Sequence, residues 1–523
     1  MANQALFQSA RSAQAQPRPD AVNQAGAPAY AFDAKHALAQ LAITGCMNQT
    51  FYASAETQLA EIVARCLEVP SEFVAKTAIY ARQFGHMKDV PALLMAYLAS
   101  FDGALCEQAF ERVIDNGKML RNFVQILRSG AVARKSLGSR PKRMVQRWLE
   151  EASDQRLIAA MVGNQPSLLD VIKMVHPKAS SPERAAFFRY LIGREVDQQL
   201  LPAEIQALER FKADPSADVP NVSFQLLTAF ELSPAHWRQI AKTASWQTTR
   251  MNLNTFVRHE VFVDSDCVKL VAERLADASL IAKARAFPYQ LLAAHRNAEK
   301  IPVAVRKALE AAVEVSVHNV PKIAGSVAIA VDVSGSMSSA VTGHRAGATS
   351  QMRCVDVAGM MAATIVARNP GAMVLPFNDR VQSFNWSASG VMAQANALSA
   401  MLGGGTNISA PLIALKERGV APDLVIILSD NQSWMDARNH GASAAMTAWA
   451  ALKARNPKAK LVCVDLQPYT NSQAKEGGDV LNIGGFSDEV FSLIADFATG
   501  ETGGQNLVAK IEAISLKNLE AAK

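Results

Sequence analysis

The sequence predicts a multidomain chain: an all-α domain built of helix pairs, followed by an α/β domain with a doubly wound parallel sheet. Three observations carry that prediction. The 523 residues exceed what one ordinary core organises. Apolar residues recur at helical spacing from about residue 33 to about residue 320. From about residue 325, continuous apolar runs rich in β-branched residues alternate with helical segments.

Residues 1–32 are rich in Ala, Gln and Pro without apolar periodicity, and are expected to form a mobile N-terminal tail. The helical domain is placed at residues 33–322. Leu59, Ile62, Val63 and Cys66 follow the spacing of a buried helix face, with Ser54 able to cap the start. Asp89 before Pro91, Ser181 before Pro182 and Ser233 before Pro234 mark further helix starts. Gly85, Gly103, Gly117 and Gly193 are expected as stops. Short helices in close succession suit a solenoid of helix pairs better than a long bundle, although no fixed sequence period is present.

The α/β domain is placed at residues 323–523. Its expected strands are SVAIAVDVS, AMVLPF, DLVIILSD and KLVCVDLQ, and its expected helices include Cys354 to Ala367, Ala410 to Arg418 and Ala442 to Ala454. In such a sheet the ligand site belongs at the carboxyl ends of the strands. There the first strand runs into Asp332-Val333-Ser334-Gly335-Ser336, Thr406 lies in GGGTNIS before a helix, and Asp430 ends LVIILSD. Two carboxylates and three hydroxyls from three strand-end loops suit a hard divalent cation such as Mg²⁺, which takes oxygen ligands and keeps several waters. Ser334, Ser336 and Thr406 would ligate it, and Asp332 and Asp430 would hold metal-bound waters. With so few anions beside it, the ion could accept a carboxylate from a protein partner. Taken alone, D-x-S-x-S also fits a capped turn.

Composition narrows the setting. No stretch reaches the roughly 18 apolar residues a membrane-spanning helix needs, and MANQALFQSARSAQAQPRPD lacks a secretory apolar region. The six cysteines show no C-x-x-C spacing. A soluble, cytoplasmic protein with buried free thiols is expected. The net charge of +6 is unevenly divided. The whole chain has 53 Lys+Arg against 47 Asp+Glu; residues from Gly325 onward hold 15 against 16, leaving 38 against 31 upstream. That is the footprint of a polyanion-binding domain joined to a neutral one.

The positive charge is densest between Lys118 and Arg147. Lys118, Arg121, Arg128, Arg134, Lys135, Arg140, Lys142, Arg143 and Arg147 fall there without a single acid. A solvated helix face normally mixes both signs, so this run calls for a counter-charged neighbour or a polyanion. RNA or DNA is the favoured candidate, since the small residues of GAVARKSLGSRPKR let backbone amides approach phosphates as well. An acidic protein partner and a plain solvated face are the alternatives.

Two resemblances sharpen this reading. The strand-end constellation, including Gly335-Ser336-Met337, resembles the metal-ion-dependent adhesion site of von Willebrand factor A domains over about residues 325 to 520. TGCMNQTFYAS, GHMKDVPAL, GAVARKSLGSRPKR and LLDVIKMVHPK resemble blocks of the TROVE module of the Ro autoantigen family. SWQTTRMNLNTFVRHEVF and AKARAFPYQLLAAH are similar to its later blocks, and the domain order is that of bacterial Ro proteins. The resemblance implies a ring of HEAT-like helical repeats closed by the A domain. It implies binding of Y RNA, a small noncoding RNA, on a basic outer surface and of the single-stranded 3′ ends of misfolded RNAs in a central cavity. An exoribonuclease tethered through the RNA is implied as well. Lys88, Arg134, Lys135, Lys142, Arg143, Lys173 and His176 are the residues it points to, with Lys173 and His176 expected on one helix face.

The leading expectation is a non-catalytic RNA-binding protein in RNA quality control. An A-domain co-subunit of an ATP-driven chelatase or remodelling complex is the alternative; the chain has no G-x-x-x-x-G-K-[ST], so the ATPase would be a partner. An adhesion role conflicts with the N-terminus and the cysteine pattern. Catalysis lacks support, because His259-Glu260 is not followed by the second histidine of a zinc site and the strand-end serines lack a local His and Asp pair.

Overall fold

The computed structural model describes residues 17–284, 286–298, 300–344, 352–386, 390–434, 442–500 and 506–516. It divides into two compact units. One comprises Met1–Glu61, Phe287–Leu292 and Ser316–Lys510; the other comprises Ile62–Ala286, Ala293–Val315 and Ile511–Lys523.

The first unit is built on a five-stranded, all-parallel sheet. Its strands are β3 (Val327–Asp332), β4 (Met373–Phe377), β5 (Leu424–Ser429), β6 (Lys460–Asp465) and β8 (Val480–Gly484), in the order β4-β3-β5-β6-β8. All residues of β3, β5 and β8 are buried, as strands covered on both faces require. One face packs Ile329, Val331, Ile426 and Leu428 with Val357, Met361 and Ile365 of the helix Cys354–Arg368. The other packs Ala330, Val425 and Ile427 with Leu412, Leu415, Trp449 and Leu452 of the helices Ser409–Glu417 and Ala442–Arg455. From β3 the chain turns to β4 on one side and then to β5 on the other, so the crevice between the ends of β3 and β5 is a topological switch point.

The N-terminal segment overturns one expectation. Residues 1–16 lie outside the described residues, but the remainder of the expected tail is ordered secondary structure belonging to this unit. β1 (Ala21–Val22) and β2 (Pro28–Ala31) form an antiparallel ribbon, and β2 pairs with β7 (Asn471–Ser472), Tyr30 lying opposite Ser472. Tyr30 is buried and donates its hydroxyl to Pro17 O at 2.9 Å. The helix Ala34–Thr44 follows, capped by Asp33. It lies so close to β8 that a Cβ on Gly484 would come 2.6 Å from Thr44 Cγ2. The expected boundary near residue 323 is thus crossed by residues 17–61, which belong to the unit of the sheet.

The second unit is a succession of short helices. Ser71–Gln83 packs against Asp89–Phe101 and Gly103–Val113; Asp89–Phe101 packs against Gly117–Ser129; Gly117–Ser129 packs against Asp154–Ala160 and Leu168–Val175. These contacts join helices one to three places apart along the chain, the local pattern of stacked helices. Ser54, Ser181 and Ser233 cap helices as expected, and Gly193 ends one with φ +76°. Gly103 and Gly117 are corrected from stops to starts, because Asp102 and Asn116 before them accept the N-terminal amides of the next helices. Asp89 is not a cap either; Lys88 holds the cap position, and Asp89 Oδ1 accepts from Asn122 Nδ2 at 2.9 Å.

Candidate metal centre and basic surface

The strand-end residues converge because neighbouring strands end level and their loops are bonded to one another. Val331 lies opposite Leu428, which sets Asp332 beside Ser429. Beyond the strand ends, Val333 N donates to Phe377 O, Gly403 N to Val333 O and Gly335 N to Gly404 O, at 2.8, 2.8 and 3.0 Å. Gly404 has φ +83°, and a Cβ there would meet Asn378 Nδ2 at 2.8 Å, so glycine permits this close approach.

Asp332, Ser334, Ser336, Thr406 and Asp430 are all buried. Asp332 is fully bonded: Oδ1 accepts from Ser334 N at 2.8 Å and Oδ2 from Ser429 Oγ at 2.6 Å. The Ser334 and Ser336 hydroxyls face each other at 3.3 Å. Thr406 is tied by its carbonyl, which accepts from Ser433 Oγ and Trp434 N. Asp430 differs from Asp332: neither carboxylate oxygen closes a hydrogen bond of acceptable geometry, although Ser336 and the Gln432 amide lie near. Burial pushes both carboxyls well up, and for Asp430 the charge of Asp332 adds to it. A third fully buried acid, Asp465, is pushed up by burial and by Asp430, and one of its oxygens is also unpartnered. Among the described residues no ion pair neutralises any of the three.

An orphaned buried carboxylate beside another buried acid is costly unless a cation enters. The donor set, all oxygen and with two acids in its immediate shell, fits a hard divalent ion. Ser429 and Tyr52 belong to this centre and are not part of the sequence expectation. Ser429 could have been found from its place beside Asp430 at a strand end. Tyr52 is half-buried with its hydroxyl near the Ser336 side chain, and it is pushed up to about 12 by burial first and then by Asp430.

The second unit sorts the basic residues into two kinds. Arg121 donates to Ala160 O, and Arg134 to Ala99 O, each at 2.7 Å, so both satisfy carbonyls at the C-terminal ends of neighbouring helices. Arg147 meets Glu107 at 3.2 Å and Glu111 at 3.5 Å. Arg140 lies across Gly103, where an added Cβ would come 2.9 Å from its Cδ. By contrast Lys88, Lys118, Arg128, Lys135, Arg143 and Lys173 are exposed and form no ion pair among the described residues, and Lys142 is half-exposed. Lys88 is held below the usual lysine value by desolvation and by Lys118 and Arg82 nearby. Arg128 and Lys173 line one open groove of about 670 Å³ with Gln125, Gln165, Pro166 and Asp170.

His176 is corrected. The helix ends at Val175, and His176 is its C-cap with φ 50°, so it does not share a helical face with Lys173. Its imidazole is exposed.

Comparison with known proteins agrees with this architecture. Residues 326–498 match the family model of the Ro60 vWA domain. The chain is 24% identical over 516 residues to the RNA-binding protein RO60 of Deinococcus radiodurans, covering 92% of this chain and 95% of that one. The crystal structure of the Deinococcus radiodurans RO (RSR) protein shares its fold, with a TM-score of 0.63 and 20% identity over 90% of this chain and 100% of that one. The resemblance to Ro proteins read from the motifs therefore holds over nearly the whole chain, as does the pairing of a helical-repeat module with an A domain.

Proposed function

We propose that this chain, similar to Ro proteins along nearly all its length, is a non-catalytic RNA-binding protein acting in RNA quality control. The observation that carries the reading is the set of exposed cations Lys118, Arg128, Lys135, Arg143 and Lys173 on one helical-repeat unit, which form no ion pair among the described residues. Arg121, Arg134 and Arg147 are spent on the fold, so RNA affinity rests on the remaining residues. Most of that affinity comes from phosphate neutralisation, which releases counterions and weakens with salt. Duplex RNA is engaged by shape and backbone, as suits a Y-type noncoding RNA, while an unpaired 3′ end is free to follow a groove such as that between Arg128 and Lys173. An exoribonuclease would be recruited through the RNA.

In the same proposal Ser334, Ser336 and Thr406 hold Mg²⁺, with Asp332 and Asp430 behind it. When bound, the ion supplies a Lewis-acidic docking point for a partner carboxylate. The protein residues do the rest: Ser429 fixes Asp332, and the Gly335 to Gly404 contact fixes the loop spacing.

The test measures binding of a 3′-tailed structured RNA across about 50 to 200 mM salt. Affinity should fall by orders of magnitude; a flat response would overturn the electrostatic reading. Recovery of an ATPase and no RNA with the protein from its own cells would instead favour a chelatase-type co-subunit.

A further inference from the structure

The turn that carries Tyr52 is built into the metal-site unit. It is anchored to the loop that follows the D-x-S-x-S sequence: Asn48 Nδ2 donates to Thr342 O at 2.9 Å and His344 N to Gln49 O at 2.6 Å. Between these bonds Gly343 adopts φ +70°, where a Cβ would meet Asn48 Cβ at 2.8 Å and Gln49 O at 2.9 Å. From behind, Gln58 Nε2 donates to Asn48 O at 2.6 Å. Thr50 and Ala53 then close the turn, Thr50 N donating to Ala53 O at 2.9 Å, with Phe51 and Tyr52 at its apex.

The two apical rings divide the work. Phe51 is 57% exposed. Tyr52 is half-buried, its ring edge-on to buried Tyr469 at 6.2 Å and its hydroxyl near the Ser336 side chain. Ser336 is one of the three hydroxyl ligands assigned to the ion. A carboxylate reaching a divalent cation must come within about 2.1 Å of it, and a phenol beside Ser336 competes for that approach.

We propose that Tyr52 occupies the place of the external carboxylate at the metal centre, so that an acidic side chain of a partner must displace the Phe51-Tyr52 turn to bind. The inference rests on the reading of Ser334, Ser336 and Thr406 as cation ligands. It makes the site a gated receptor: the fold provides its own neutral occupant, and Phe51 is the exposed handle a partner can take hold of while Tyr52 leaves.

The experiment loads the full-length chain with Mn²⁺ and follows acetate binding by electron paramagnetic resonance and water-proton relaxation. Tyr52→Ala should bind acetate about tenfold more tightly than the native chain, with Mn²⁺ affinity changed less than about threefold. Tyr52→Phe keeps the ring, loses the hydroxyl near Ser336, and should show a smaller gain in the same direction. Equal acetate affinity in all three proteins overturns the gate and leaves the metal site standing. Loss of Mn²⁺ in Tyr52→Ala also overturns it, since Tyr52 would then be a support of the metal and not a displaceable occupant. Failure of the native chain to bind Mn²⁺, or indifference of that binding to Ser334→Ala, overturns the metal reading itself.

Discussion

Ser429 Oγ donates a 2.6 Å hydrogen bond to Asp332 Oδ2 across the level ends of β5 and β3. The bond orients a buried carboxylate that has no cation paired with it among the described residues, while the same serine accepts from Asn431 N at 2.9 Å. Outer residues that orient a metal site typically matter by 10- to 100-fold in affinity. Ser429→Ala is therefore expected to weaken Mg²⁺ or Mn²⁺ binding by about tenfold, checked by calorimetric titration. Ser429→Thr, which keeps the hydroxyl, should restore most of it.

Arg134 and Lys135 are adjacent in sequence and opposite in role. Arg134 is tied to Ala99 O, whereas Lys135 lies on the surface. Arg134→Ala should cost about 1.5–3 kcal/mol of stability, the usual size for a hydrogen bond to a charged group. Lys135→Ala should leave the urea midpoint unchanged and reduce the slope of log affinity against log salt by about one. Urea denaturation and RNA titration on the same two variants check both halves.

How far the sequence could be read depends on how local the signal is. β3, β5 and β6 were legible as continuous apolar runs, and Asp332, Ser334, Ser336, Thr406 and Asp430 by their strand-end positions. β8 was missed because Val-Leu-Asn-Ile-Gly carries an amide and a glycine, and its buried Asn482 side chain is satisfied by Ser472, Ala474 and Glu476, which lie outside the strand. The ribbon of β1 and β2 could not be seen, since its partner Asn471–Ser472 lies more than 400 residues away. Tyr52 had the same difficulty: its own segment carries no metal motif. Charge density showed that residues 118–147 are basic, but only packing shows which cations are consumed by helix-end carbonyls and by Glu107 and Glu111.

Gly117 is required by close approach. It opens its helix against Asp154–Ala160, where an added Cβ would lie 2.2 Å from Ala160 Cβ and 2.7 Å from Ala160 Cα. Neither atom can swing aside as a long side chain would. Gly117→Ala should lower stability by about 1–3 kcal/mol despite alanine's better helix propensity, because the two helices must separate. A lowered urea midpoint with unchanged metal affinity is the expected pair of measurements.

His36 makes stability depend on pH in a defined direction. It is 2% exposed, stacked on Phe32 at 4.1 Å, and bonded through Nε2 to Asn482 O at 3.1 Å. Burial lowers its pKa from 6.5 to about 4, against the opposing pull of Asp33. Between those values the unfolded chain binds the proton and the folded chain does not, so stability falls as pH drops from about 6.5 towards 4. At pH 5 the loss is on the order of 2 kcal/mol. Glu476 works the other way: burial raises it from 4.5 to about 7, so its contribution is present below 4.5 and lost as pH rises through 7. Comparing the native chain with His36→Gln at each pH removes the Glu476 contribution from the difference. The gap between their unfolding free energies from urea denaturation should shift in favour of the variant by about 2 kcal/mol between pH 7.5 and pH 5. A gap that stays constant would mean that His36 is protonated in the fold and that its bond to Asn482 O survives the charge.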